Sequence, residues 1–171
     1  MAGAVETFLF ADGAYVPNNP TLPLLLYRQA FVFDVGDREQ KAIAHLARND
    51  WGAAWINGIY DFQHYHATAH EVLVITIGWA EVLFGGPNGR VLRVEGGDAV
   101  LIPAGVGHRR LDASADLTVV GAYPRGQENY DLKRATRKDH ARAVKEIPNV
   151  GLPERNPITG AMPAWPETTE M

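Results

Sequence analysis

An antiparallel β-sandwich or barrel is the fold this sequence predicts, on three observations. Short apolar runs recur between Trp51 and Tyr123, separated by Gly, Pro, Asn or Asp. Turn formers are abundant, with 17 Gly and 11 Pro in 171 residues. No strand–helix alternation suggests a parallel sheet. The expected strands are 55–62, 71–77, 81–84, 91–95, 99–102, 109–111 and 117–123. Between the third and fourth, Gly85-Gly86-Pro87-Asn88-Gly89 reads as a hairpin turn.

The flanks read differently. Val16-Pro17-Asn18-Asn19-Pro20 is a loop, because Pro fixes φ and Asn tolerates turn geometry. Asp37 is placed to cap a helix, with Gln40 three residues on. Ala42, Ile43, Leu46 and Ala47 then form one apolar stripe at helical spacing. His45 lies between its edges and reads as a packing or solvated histidine. A second, basic helix is expected over 131–147, where Lys133, Arg134, Arg137, Lys138, Arg142 and Lys145 fall. Its simplest reading is a solvated face. Residues 148–171 hold five prolines and read as an extended tail lying on the same domain. Length favours one domain over 1–171, large enough to bury a core without staples.

Composition excludes several functions. There is no cysteine, so no disulfide framework, thiolate zinc site or cysteine nucleophile. Sixteen Lys and Arg against twenty Asp and Glu leave a net charge of −4. That is a poor match to nucleic acid, whose partners carry a basic field. The most apolar stretch, 22–34, is broken by Pro23, Arg28 and Gln29 and is too short to span a bilayer. No cationic, then apolar, leader is visible near Met1. A cytoplasmic protein acting on a small molecule, with no nucleic-acid or membrane partner, is the expectation. The apolar segment 22–27 suggests a strand added to a partner's sheet edge, hence a homodimer.

Four of the six histidines fall in two short segments. His64 and His66 are two apart, so on a strand both imidazoles point to one face. Such a pair is awkward unless something polar or cationic lies between the rings, and a metal ion meets that need. A third ligand is ambiguous. Strict alternation from His66 favours His70, whereas a turn within Ala67-Thr68-Ala69 shifts the phase and favours Glu71. A fourth can come from His108, which follows the turn Pro103-Ala104-Gly105.

These segments resemble the two motifs of the cupin superfamily. The first runs Gly58, five residues, His64-x-His66, four residues, Glu71, six residues, Gly78. The second runs Gly97, five residues, Pro103-x-Gly105, two residues, His108. The final Asn of motif two is Asp112 here, a position that is not a metal ligand in the family. The stretches Val16 to Tyr27, His64 to Leu73, Val120 to Pro124 and Leu152 to Pro157 further resemble single-domain bacterial cupins of the YjlB-like group, whose reaction is not established. The resemblance implies an all-β jelly-roll barrel (the double-stranded β-helix of cupins) with flanking short helices, its motifs within about 50–124. It implies His64, His66, Glu71 and His108 as ligands of one divalent transition metal. The absent cysteines exclude the Cys–Tyr crosslink of some cupin thiol oxygenases.

Three imidazoles and a carboxylate suit Fe, Mn, Ni, Cu or Zn. Four protein ligands on an octahedral ion leave two positions for substrate, water or dioxygen. With the histidines inward, Tyr60 and Phe62 share the face of His64, and Arg110 shares the face of His108. Tyr60 is a candidate proton donor, or a packed aromatic. Arg110 is a candidate anchor for a carboxylate or phosphate, or else pairs with Asp112 or Asp116. The resemblance implies dioxygenase, isomerase or decarboxylase chemistry on a small oxygen-rich or anionic metabolite. The alternative is a metal-bearing binding or sensor module without turnover. A plain β-scaffold or storage role is the third reading.

Overall fold

The computed structural model describes residues 5–166. In chain order it contains β1 (Val5–Phe8), β2 (Leu24–Tyr27), α1 (Arg38–Arg48), β3 (Trp51–Asn57), β4 (His64–Tyr65), β5 (Glu71–Ile77) and β6 (Trp79–Phe84). Then come β7 (Arg90–Glu95), β8 (Ala99–Ile102), β9 (His108–Ala113), β10 (Thr118–Pro124), β11 (Lys133–Arg134) and α2 (Arg137–Glu146). The strands form two antiparallel sheets, ordered β1-β2-β8-β5-β10-β3 and β11-β4-β9-β6-β7. This is the all-β, two-sheet architecture that the sequence predicts.

The two sheets differ because their surroundings differ. Strands β2, β5 and β8 of the first sheet are buried almost throughout. One face meets the second sheet, where Leu24, Leu26, Leu73, Ile75, Val82 and Phe84 pack together. The other face is covered by α1, through Ala42 and Leu46, and by Trp165 of the tail. Burial on both faces explains continuous runs such as Leu24-Leu25-Leu26. In the second sheet, β6 and β7 alternate buried and exposed residues, as one solvated face requires. Between them the hairpin turn uses its glycines. Gly85 and Gly86 have φ of 86° and 80°, and a Cβ on Gly89 would lie 1.8 Å from the Phe84 carbonyl oxygen.

Several expectations need correction. The segment 22–27 is not a free edge. Leu24–Tyr27 is hydrogen-bonded to β1 on one side and β8 on the other, so it has no backbone groups left for a partner. The strand expected over 55–62 lies at Trp51–Asn57, and 58–63 is irregular. The helix expected over 131–147 begins at Arg137, because Lys133 and Arg134 pair with Tyr65 and His64. Thr136 caps it, its hydroxyl accepting from the Asp139 amide at 3.1 Å. Asp37 occupies the cap of α1 in left-handed backbone and makes no side-chain capping bond.

The tail expected to be extended instead begins in a short 3-10 turn (Ile147–Asn149) and folds back in a turn at 156–161, with residues 167–171 outside the described range. Asn156 anchors it. Its side-chain oxygen accepts from the Ile158 and Thr159 amides, and its amide donates to the Ala164 carbonyl and the Tyr27 hydroxyl. Trp165 donates its indole N–H to the Pro23 carbonyl at 2.8 Å. Among the described residues no helix is long and apolar enough to cross a membrane.

Candidate metal centre

The two sheets bring the motif residues together at one end of the sandwich. His64 on β4 stands opposite His108 on β9, with ring centroids 4.0 Å apart. Tyr65 between the histidines points the other way, into a small core with Ala67, Ala143 and Ile147. After His66 the chain leaves the second sheet and enters the first as β5. Alternation therefore does not carry across this crossing. Glu71, the first residue of β5, enters the cluster. His70 turns away and packs against the Trp165 ring, 4.9 Å centroid to centroid.

The ligating atoms of His66, Glu71 and His108 all lie within 4.8 Å of one another, and all three residues are buried. His64 stands outside that tight set but lines the same cavity. Each of the three imidazoles is tied down through Nδ1. His64 bonds the Phe62 carbonyl at 2.9 Å, His108 the Val106 carbonyl at 3.1 Å, and His66 the Asp131 carbonyl. A carbonyl only accepts, so each Nδ1 is the protonated nitrogen. In a neutral ring, Nε2 then carries a lone pair. This is the arrangement by which backbone carbonyls orient metal-binding histidines.

That tautomer tests whether a cation fits. His66 Nε2 lies 3.2 Å from Glu71 Oε2, and His108 Nε2 lies 3.2 Å from Oε1. Lone pairs facing a buried carboxylate repel it unless a proton or a cation intervenes. Glu71 Oε1 is buried and has no partner of hydrogen-bonding geometry. The electrostatics carry the same message. Burial pushes the Glu71 carboxyl up, yet the facing His66 and His108 hold it well below its ordinary value. Burial pulls the His66 imidazole down, but Glu71 outweighs this and raises it. Burial, then the neighbouring His108, depresses His64 to about 3. Donor set and orphaned oxygen thus both fit a divalent cation.

A second layer holds this cluster. Tyr123 on β10 donates its hydroxyl proton to Glu71 Oε2 at 2.5 Å and accepts from the Trp55 indole at 2.9 Å. Burial and then the Glu71 charge raise the Tyr123 phenol far above its ordinary value, so it stays a donor. Asp131 accepts from the Ala67 and Thr68 amides and the Thr68 hydroxyl, and pairs with Lys133 at 3.1 Å. It thereby fixes the loop whose main-chain oxygen orients His66. Replacing Asp131 by Ala leaves the Ala67 and Thr68 donors without their acceptor, while Lys133 keeps Glu146 at 3.1 Å. The expected cost is about 3 kcal/mol in equilibrium urea unfolding, since hydrogen bonds to charged groups contribute about 1.5–3 kcal/mol each.

The cluster opens into a cavity of about 370 Å³ walled by Trp55, Tyr60, Leu73, Arg110, Tyr130 and Leu132. Tyr60 is half exposed and stacks on Phe62 at 4.7 Å. Phe62 turns from the cavity toward Arg134, whose guanidinium lies 3.5 Å from its ring centroid. Arg110 faces Asp61 at a loose 3.9 Å, rather than Asp112 or Asp116. A larger groove, about 650 Å³, runs past Asp50, Arg125 and Arg155 but holds none of the histidines. The remaining histidines have other partners: His45 bonds the Ile158 carbonyl, and His140 pairs with Asp12. Sequence reasoning missed Tyr123, Trp55 and Asp131. The first two sit in strands that read as core. Asp131 reads only as a break in a basic run.

Comparison with known proteins follows the same line. No protein-family model matches the chain. The uncharacterized protein YjlB of Bacillus subtilis (strain 168) is 39% identical over 160 residues, which is 94% of this chain and 93% of that protein. Among solved structures, acireductone dioxygenase from Bacillus anthracis, with cadmium in its active centre, is 17% identical. It aligns over 52% of this chain and 60% of its own with a TM-score of 0.37. A cupin 2 domain-containing protein from Halorhodospira halophila is 16% identical over 84% of this chain and 77% of its own, also with a TM-score of 0.37. On the near full-length similarity to the Bacillus subtilis protein, together with the two-sheet fold and its buried His-Glu-His cluster, the chain belongs to the YjlB-like cupins.

Proposed function

We propose that this protein is a divalent-metal-dependent enzyme of the dioxygenase, isomerase or decarboxylase type, acting on a small oxygen-rich or anionic metabolite. One observation carries the reading. The buried His66 and His108 imidazoles, with Nδ1 tied to carbonyls, aim their Nε2 lone pairs at one carboxylate, beside a cavity sized for a small molecule. His66, Glu71 and His108 would hold the ion, with His64 as fourth donor. A bound divalent ion supplies Lewis acidity toward a substrate oxygen. The chain's own groups do the rest. Arg110 offers a planar fork to a carboxylate at the cavity mouth. Tyr60 presents a phenol proton beside His64, and the buried Leu73 gives the cavity an apolar wall.

The test is turnover of a metabolite panel rich in small hydroxy- and keto-acids, using protein reconstituted with each of Fe, Mn, Ni, Cu and Zn. Turnover is expected with at least one metal and is lost in the double variant His64→Ala, His66→Ala. Activity that survives the double variant overturns the metal-enzyme reading. Binding without turnover under every metal supports the sensor module instead.

A further inference from the structure

Tyr123 makes a second contribution to the site, one that rests on the metal reading above. Its neighbours allow its proton only one direction. The Trp55 indole N–H is a donor alone, so at 2.9 Å it must use a lone pair of the Tyr123 oxygen. The phenol proton is then free to point at Glu71 Oε2, 2.5 Å away and buried. The ring cannot swing to release it. Tyr123 is 1% exposed, and Tyr130 stacks on it at 3.7 Å with only 17° between the planes. The position follows from the sheet. Ala122 pairs with Val72, which sets Tyr123 beside Glu71 across β10 and β5. Glu71 therefore has one oxygen capped and one, Oε1, buried without a hydrogen-bond partner.

We propose that the Trp55–Tyr123 relay is a positioning device that restricts Glu71 to ligation through Oε1 alone. A carboxylate free to use both oxygens would occupy two positions on the ion. With Oε2 held by Tyr123, it occupies one, and a position is kept for the substrate. Tyr123 also lines the cavity, but its hydroxyl is committed to Glu71 and Trp55. It acts through Glu71, as outer partners of metal ligands do. Oε2 faces the Tyr123 hydroxyl and His66, whereas Oε1 faces His108.

The experiment is the crystal structure and the Zn²⁺ titration of the full chain and of Tyr123→Phe, which removes one hydroxyl from an otherwise unchanged ring. In the wild type, Glu71 is expected to place Oε1 at about 2.0–2.2 Å from zinc, with Oε2 still on Tyr123. In Tyr123→Phe, Oε2 is expected to swing onto the ion, and the zinc Kd to rise about tenfold because the ligand is no longer pre-oriented. Two-oxygen ligation in the wild type overturns the proposal, and that measurement needs no variant to fold. One-oxygen ligation persisting in Tyr123→Phe overturns it as well, while leaving the metal centre intact. A wild-type chain that binds no divalent ion at all removes both this proposal and the metal reading beneath it.

Discussion

Replacing Glu71 by Gln is expected to abolish tight binding of a divalent ion, whereas replacing His70 by Gln is expected to leave it nearly unchanged. The two residues are adjacent, and the difference lies in where the chain crosses between sheets. Among the described residues, Glu71 supplies the one carboxylate of the buried cluster that converges at the centre. Removing an outer partner of a metal ligand typically costs 10–100-fold in affinity, so losing the anionic ligand itself costs at least about a hundredfold. His70 points at Trp165 and takes no part. The glutamine variant at 71 also separates metal loss from unfolding. Its amide oxygen can still accept from Tyr123, and its NH₂ can donate to the lone pair of His108 Nε2. The metal-free variant is therefore expected to be at least as stable as the metal-free wild type, by up to about 1 kcal/mol. The metal-loaded proteins diverge. At a hundred times its Kd, an ion adds about 2.7 kcal/mol to the wild type and essentially nothing to Glu71→Gln. Isothermal titration gives the affinities, and urea unfolding with and without metal gives the stabilities. Wild-type affinity in Glu71→Gln, or its loss in His70→Gln, would sink the assignment of Glu71.

How far the site was legible in the sequence depends on whether its residues share a strand. His64 and His66 are two apart, and local alternation suffices to put both toward the cavity. Arg110 follows from His108 by the same rule, and it lines the cavity. Glu71 against His70 is undecidable that way. The five residues from His66 to Glu71 span a change of sheet, and periodicity has no meaning across it. Tyr123 and Trp55 are harder still. Their roles depend on β5, β10 and β3 lying side by side, and nothing local encodes strand order. The fold shows the same division. Strands with a full run, such as Glu71–Ile77 and Ala99–Ile102, are readable to the residue. Leu24–Tyr27 shows its apolarity but not its neighbours, which is why it passes for an edge. Lys133–Arg134 is two residues long and basic, and only pairing with β4 makes it a strand.

His70 should make stability depend on pH below about 6.5, adding to the dependence that His64 gives over the same interval. Its ring is 1% exposed, against Trp165. Ala104 donates its backbone N–H to Nδ1 at 2.9 Å, so that nitrogen must remain unprotonated. Burial is the main cause that depresses the imidazole from 6.5 to about 4. The unfolded chain therefore takes up a proton near pH 6.5, and the folded chain refuses it until about pH 4. The contribution is fully present above pH 6.5 and is lost as pH falls toward 4. A depression of this size corresponds to about 3 kcal/mol. His70→Gln removes the titration while its side-chain oxygen can still accept from Ala104. The comparison is urea unfolding of metal-free wild type and His70→Gln at pH 7.5 and pH 4.5. The wild type is expected to lose about 2–3 kcal/mol more than the variant across that interval. Parallel losses in the two proteins would mean that His70 titrates as an ordinary histidine. Its burial against the tail would then be open to water on the timescale of the measurement, and Trp165 would not seal that face of the first sheet.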